Sequence, residues 1–314
     1  MEKSIIQYQC KSPVVLIVFN RPEETSILLK VLREVAPKKL YVISDGPRQG
    51  RQEDVRLVEK VRNLIDKEVD WDCDLNKIYA NSNLSGPVRV PSGFDIVFSN
   101  EEQAIILEDD CIPSVDFFKF CDDLLEKYAK EERIGTICGF NLEFNFFGQI
   151  IENRHNTSYF FSRYPASWGW ATWGRVWRNF DHDLKDYPLL LRRGFFNSIS
   201  KDRYVRKFWI NKFGKFYKKE KNNWDYKLTY SLLKNGQFSV IPNINLVQNI
   251  GTEGGTNYTK KDYVSKKKSN AISFPLKEPA TIEPDDQYDN RVSEHFFNSS
   301  LFSKVMRLVR NKMI

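Results

Sequence analysis

The sequence has no cysteine pair at metal-binding spacing and no apolar run long enough to cross a bilayer. Its five cysteines, Cys10, Cys73, Cys111, Cys121 and Cys138, form no CxxC and leave an odd one over. That pattern disfavours a disulfide framework and a cysteine-ligated zinc site, and a reducing cytosol is the expected environment. The apolar stretch Val14 to Phe19 is too short for a signal-peptide core or a membrane span. The expectation is a protein made and kept inside the cell. Neither GxGxxG nor GxxxxGK[ST] occurs, so neither a dinucleotide fingerprint nor a P-loop is indicated. Internal repeats and low-complexity tracts are also missing.

What is present suits a substantial core. A chain of 314 residues builds one large domain or two tightly joined lobes. Aromatics make up 14% of it, which fits a sugar-facing or interface-rich surface and equally a well-packed interior. The net charge of +7 favours nucleic acid, anionic membrane or phosphorylated small molecules as partners.

Apolar runs alternate with amphipathic segments. Val14 to Phe19 reads as a buried strand. It is followed by Asn20-Arg21-Pro22, and by a helix with Ile27, Leu28, Val31 and Leu32 at helical spacing. Leu40 to Ser44 is a second strand, ended by the turn Asp45-Gly46-Pro47-Arg48. A helix over about 54–66 follows, then a third strand over 77–80, a loop over 81–93 and a helical segment from Phe94. The run Ala104 to Leu107 ends in three successive carboxylates, Glu108, Asp109 and Asp110, before Pro113. Alternation of this kind predicts an α/β fold with a mostly parallel sheet wound with helices.

In open α/β sheets ligands bind beyond the carboxyl ends of the strands. The tips here carry Asn20 and Arg21, then Asp45, then the acidic triplet, and on a parallel sheet they converge on one edge. Three adjacent carboxylates repel one another unless a positive charge sits beside them. A divalent cation carrying the diphosphate of a nucleotide would meet that need, whereas a solvated acidic turn is the alternative.

The second half is rich in aromatics. Trp168, Trp170, Trp173 and Trp177 are either core filler or a stacking wall for a sugar ring, with Gly169 permitting close backbone approach. Residues 201–221 interleave lysines and arginines with aromatics at partly helical spacing. They read as a core-facing helix with a solvated basic face, or as a docking surface for anionic lipid or a phosphorylated acceptor. Asp225, near the start of a helix through Leu233, suits a capping role or a proton acceptor. The glycine-rich 249–257 stretch can fold over a ligand. Residues 258–290 read as an irregular wrap. Residues 301–314 form a basic amphipathic helix suited to an anionic membrane surface or to packing on a partner.

From about Pro13 to Asn257 this order of features resembles the GT-A-fold glycosyltransferases, Rossmann-like nucleotide-diphospho-sugar transferases. It is similar in layout to the N-acetylglucosaminyltransferase I type and to bacterial hemolytic protein HlpA-like sugar transferases. The resemblance is carried by Val15 to Pro22, Ser44 to Arg48, Arg89 to Gly93, Leu107 to Phe118, Ser167 to Trp170, Trp224-Asp225 and Asn249 to Gly251. It implies a nucleotide-sugar-binding half over 1–138, an acceptor half over 139–260 and a C-terminal wrap and helix over 261–314. Asp110 is implied as the ligand of Mn²⁺ or Mg²⁺, with Asp109 at the ribose and Glu108 near the nucleotide or donor sugar. Asn20, Arg21, Asp45 and Arg89 would hold the base and phosphates. Trp168, Gly169, Trp170, Trp224 and Asn249 would face the donor or acceptor sugar, and Asp225 would be the general base. The implied activity is inverting transfer from a nucleotide diphosphate donor, a UDP-sugar such as UDP-GlcNAc first, to a cell-surface glycan or lipid-linked acceptor. The expected setting is a bacterial-type enzyme of polysaccharide biosynthesis, cytoplasmic and peripheral at the inner face of the membrane, with no nucleic acid partner. Two alternatives stand beside it: a sugar nucleotidyltransferase, and a non-catalytic basic protein that binds membranes or nucleic acid.

Overall fold

Ten strands and nine α-helices make up the described part of the chain in a computed structural model, which covers residues 8–143, 151–251 and 269–297. The strands are β1 (Val14–Val18), β2 (Lys39–Ser44), β3 (Asp74–Tyr79), β4 (Gln103–Glu108), β5 (Cys111–Pro113), β6 (Ile134–Cys138), β7 (Tyr159–Ser162), β8 (Trp170–Trp173), β9 (Phe238–Pro242) and β10 (Val247–Asn249). Eight of them form one sheet in the order β3-β2-β1-β4-β8-β6-β9-β7, and β5 pairs with β10 in a separate ribbon. Strands β3, β2, β1 and β4 are parallel, as are β6 and β9. Only β8 and β7 run against their neighbours. The architecture is therefore α/β with a mostly parallel sheet, as the alternation of apolar runs and amphipathic segments predicts.

The helices cover that sheet. They are α1 (Pro22–Val35), α2 (Gln52–Glu68), α3 (Gly86–Asn100), α4 (Val115–Lys127), α5 (Gly174–Trp177), α6 (Tyr187–Arg192), α7 (Arg203–Tyr217), α8 (Trp224–Lys234) and α9 (Asp286–Val292). Helix α1 begins with Pro22 in its first turn beside Glu23 and Glu24, which complement the amino-terminal end of the helix dipole. Leu28, Leu29 and Leu32 are fully buried against the sheet. Every residue of β1 and β4 that faces the interior is apolar, so these central strands are buried on both faces.

Two local expectations are corrected. Residues 81–93 are a loop only as far as Ser85, because α3 starts at Gly86 with Pro87 in its first turn, where the missing N–H costs nothing. Residues 258–290 do not stay irregular over their described part. Asp285 caps α9 by accepting from the Tyr288 N–H at 2.9 Å, and Tyr288 is fully buried. Asp289 of that helix accepts from Ser162 Oγ at 2.5 Å and Arg163 Nη1 at 2.7 Å, fastening it to β7. The basic helix expected over 301–314, and positions 252–257 of the glycine-rich stretch, lie outside the described residues.

A strand that the sequence does not announce sits at the centre. β8 is inserted antiparallel between β4 and β6, pairing Ile106 with Trp170 on one side and Cys138 with Trp170 on the other. Gly169 leads into it at φ +62°, and a Cβ there would stand 2.7 Å from a Val247 methyl. Left-handed backbone and overpacking each penalise a side chain at this point. Gly169→Ala is expected to destabilise the protein by about 2–4 kcal/mol, seen as a lower urea midpoint at unchanged slope. A midpoint equal to the wild type's would contradict this packing.

Candidate functional site

The parallel register sets the strand tips side by side. Val18 lies opposite Ser44, and Ile17 opposite Glu108. The residues that follow, Asn20 and Arg21, Asp45, and Asp109 and Asp110, therefore leave the sheet at one edge. They do not all do the same thing there.

Arg21 and the acidic triplet come together. Arg21 Nη1 donates to Asp110 Oδ2 at 2.7 Å and to Asp109 Oδ1 at 3.3 Å. Asp109 Oδ2 also accepts from the Phe19 N–H at 3.3 Å, which pins it to the end of β1. Behind Asp110, the β5–β10 ribbon brings Asn249 opposite Cys111, and Asn249 Nδ2 approaches Asp110 Oδ1 at 3.5 Å. The Ile250 N–H donates to the Asp110 carbonyl at 2.8 Å. Gly251 packs so closely that a Cβ on it would overlap the Asp110 carboxylate. Asn249 thus supports Asp110, and its Oδ1 accepts from the Gly251 N–H at 2.9 Å.

Glu108 and Asp109 resist ionisation. Burial first, then Asp110, Asp109 and Asp225, push the Glu108 carboxyl up to about 8, against a smaller opposing pull from Arg21. Burial and Asp110 push Asp109 up to about 7, with Arg21 again pulling down. One guanidinium, that of Arg21, is the cation paired with Asp109 and Asp110 here. Among the described residues no group of three or more His, Cys, Asp or Glu is arranged to hold a metal ion. Two carboxylate oxygens nevertheless converge on one point, now satisfied by Arg21. That hard oxygen set fits a cation such as Mg²⁺ or Mn²⁺ only if the ion brings most of its ligands with it.

The other tip residues are tied into the framework. Asp45 Oδ1 accepts from the N–H groups of Gly46 and Leu84, each at 2.8 Å, and so anchors the end of the 81–85 loop. Asn20 Nδ2 donates to Asp54 Oδ1 at 3.0 Å, and Arg48 grips the same carboxylate with two donors. Arg89 is buried, donating to the Ile78 carbonyl and to Ser92 Oγ at 3.4 Å, with its Nε left without a partner. The expectation that Arg89 faces a phosphate meets a side chain turned inward by helix α3.

Asp225 lies in the first turn of α8, where burial raises its carboxyl above the usual carboxylate range and Lys212 opposes that shift. Its charge acts on Glu108, helping to raise that carboxyl. Asp225 also lies on the wall of a cavity of about 140 Å³, lined besides by Leu142, Tyr164, Trp168, Trp170, Trp209 and Tyr226. At roughly 30 Å³ per water, that volume holds about five waters. None of Asn20, Asp45, Arg89 or the acidic triplet lines this cavity.

The tryptophans divide. Trp173 and Trp177 are core residues. Trp170 is almost fully buried, stacked on Trp224 at 5.9 Å, with its Nε1 lacking a partner on the cavity wall. Trp168 is only partly buried, edge-on to Phe140 at 4.9 Å. Trp224 supports the cavity from behind, and Gly169 serves the packing on Val247. Tyr164, Trp209 and Tyr226 were not legible as site residues. Their apolar character signals only a core. Trp209 and Tyr226 meet because α7 and α8 pack together, and Tyr164, just past β7, stacks on Trp209 at 5.8 Å.

No protein-family model matches the chain, and no curated protein matches it in sequence. Among solved structures it is similar to the mannosyltransferase PcManGT from Pyrobaculum calidifontis in complex with GDP-Man and Mn²⁺. That likeness has 11% identity and a TM-score of 0.39, over 71% of this chain and 70% of the other. A UDP-glucose pyrophosphorylase complexed with UDP-glucose matches at 9% identity and TM-score 0.34, over 54% of this chain and 78% of that one. The 4-diphosphocytidyl-2C-methyl-D-erythritol synthase of Anaerococcus prevotii DSM 20548 matches at 11% identity and TM-score 0.33, over 54% and 74%.

Proposed function

We propose that the chain is an inverting glycosyltransferase that takes a sugar from a nucleotide diphosphate donor and passes it to a glycan or lipid-linked acceptor. The observation that carries this reading is the place of Asp225 in the wall of an aromatic cavity beside Trp168 and Trp170, where its charge also acts on Glu108 of the acidic strand tip. The motif resemblance described above supports it, with a UDP-sugar as the first donor to test.

In this reading the donor diphosphate lies at the edge where Arg21, Asp109 and Asp110 meet. Asp110, with Asp109 beside it, would hold Mn²⁺ or Mg²⁺, which when bound supplies positive charge for the leaving diphosphate. Arg21, released from the two carboxylates, turns its donors to phosphate oxygens, which match guanidinium geometry. The acceptor ring sits against Trp168 and Trp170 in the cavity, excluding water. The acceptor hydroxyl gives its proton to an Asp225 carboxylate oxygen as its own oxygen bonds the anomeric carbon. The bond from that carbon to the diphosphate breaks on the opposite face, and the centre inverts. A carboxylate whose affinity for protons is raised by burial is a better base than an exposed one.

A thermal-shift panel of nucleotide sugars, with and without Mn²⁺, tests the reading. One nucleotide diphosphate-sugar is expected to raise the melting temperature by about 5 °C at saturating concentration, and only with the cation present. A flat response across UDP-, GDP-, ADP-, TDP- and CMP-linked sugars would overturn it.

A further inference from the structure

Helix α7 carries a face that the site described above does not use. From Arg203 to Lys221 there are eight cations, Arg203, Arg206, Lys207, Lys212, Lys215, Lys218, Lys219 and Lys221, against one carboxylate, Glu220. This segment therefore carries an excess of +7, equal to that of the whole chain. Its inner face is rigidly held, with Val205, Trp209, Phe213 and Phe216 all buried. The opposite face exposes Arg203, Lys207, Lys215 and Lys218, spaced so that they form one stripe along the helix. Among the described residues no carboxylate pairs with Lys207, Lys215 or Lys218, and Lys219 meets Asp183 only at 3.6 Å. Like charges at this spacing destabilise a helix, so the stripe opposes local stability and Trp209 and its neighbours keep it in place.

We propose that the outer face of α7 docks the protein on an anionic phospholipid bilayer. The charge is complementary and the form is right. The stripe runs about 22 Å along the helix, and none of its four cations lines the cavity beside Asp225. At its end Tyr217 is 42% exposed, and amphipathic rings of this kind favour the headgroup level of a membrane. The same helix presents Trp209 to the cavity beside Asp225, so docking through α7 holds that cavity close to the lipid surface. The docking surface does not depend on the transferase reading. If that reading also holds, the acceptor class is a lipid-linked glycan.

Vesicle co-sedimentation of the full chain provides the test. The protein is expected to bind phosphatidylcholine vesicles containing about 30% phosphatidylglycerol at low salt, to leave them at high salt, and to ignore pure phosphatidylcholine. Replacing Arg203, Lys207, Lys215 and Lys218 by glutamine should weaken that binding on the order of a thousandfold. Lys207→Gln and Lys215→Gln singly should each weaken it several-fold, should the fourfold variant fail to fold. Neutralising Lys304, Arg307, Arg310 and Lys312 instead should leave most of the binding intact. The proposal is overturned if the α7 variants sediment like the wild type, if neutral vesicles bind equally, or if a single-stranded oligonucleotide is preferred to the anionic vesicles. Stabilisation by a nucleotide sugar is read separately on the same variants, so loss of one activity does not mimic loss of the other.

Discussion

Asp225→Asn is expected to lower sugar transfer by about 10²–10⁴-fold, the usual contribution of a positioned base, while donor binding stays within about twofold. The amide keeps the shape and volume of the carboxylate and removes its ability to take a proton. It also removes one of the negative charges that raise Glu108, so binding of an anionic donor is not weakened on electrostatic grounds. A further signature follows from pH. Transfer requires Asp225 ionised, and burial raises its carboxyl above the ordinary range. The acidic limb of kcat/KM should therefore fall off above the pH of about 4 at which a free aspartate titrates. Removing the opposing cation with Lys212→Met should move that limb further up. Transfer by Asp225→Asn at a rate near the wild type's, with the same donor affinity, would remove the base assignment.

The second large effect is at Asp110. Asp110→Asn is expected to abolish cation-dependent stabilisation by the donor and to lower transfer by about 10²–10³-fold, the scale on which one electrostatic contributor to a transition state acts. The fold itself should not suffer. Asp110 and Asp109 repel one another in a buried setting, and the amide relieves that repulsion while retaining an oxygen for Arg21. The thermal midpoint without ligand should therefore hold or rise. Isothermal titration with Mn²⁺ and a nucleoside diphosphate gives a reading independent of turnover. Unchanged titration and unchanged transfer in the variant would exclude Asp110 as a cation ligand.

Much of the framework follows from local pattern. Val14 to Val18, Lys39 to Ser44 and Gln103 to Glu108 are short apolar runs separated by amphipathic helices, and right-handed crossovers leave a parallel sheet as the compact arrangement. Helix α3 was obscured by two prolines and two glycines, because a loop and a proline-initiated helix share that composition. Helix α9 was obscured by the prolines that precede it, although Asp285 is an ordinary cap. The tip residues were legible as a set but not in their individual roles. Asp45 binds the Leu84 N–H because the 81–85 loop returns to it, along a path that no periodicity specifies, and Arg89 binds the Ile78 carbonyl because α3 turns its side chain toward β3.

The amino-acid sequence alone determined that Arg21, Asp109 and Asp110 would leave a buried parallel sheet at one edge. The direction of each strand and the burial of its apolar residues leave no other exit. Only the tertiary structure decided which tryptophans form a wall and where Asp225 would lie. Both depend on β8 entering between β4 and β6, which takes Trp170 onto Trp224 and sets α8 within electrostatic reach of Glu108. The run Trp170 to Trp173 is buried on both faces. It carries no information about which strands will bury it, because pairing across a sheet is chosen by the whole core at once.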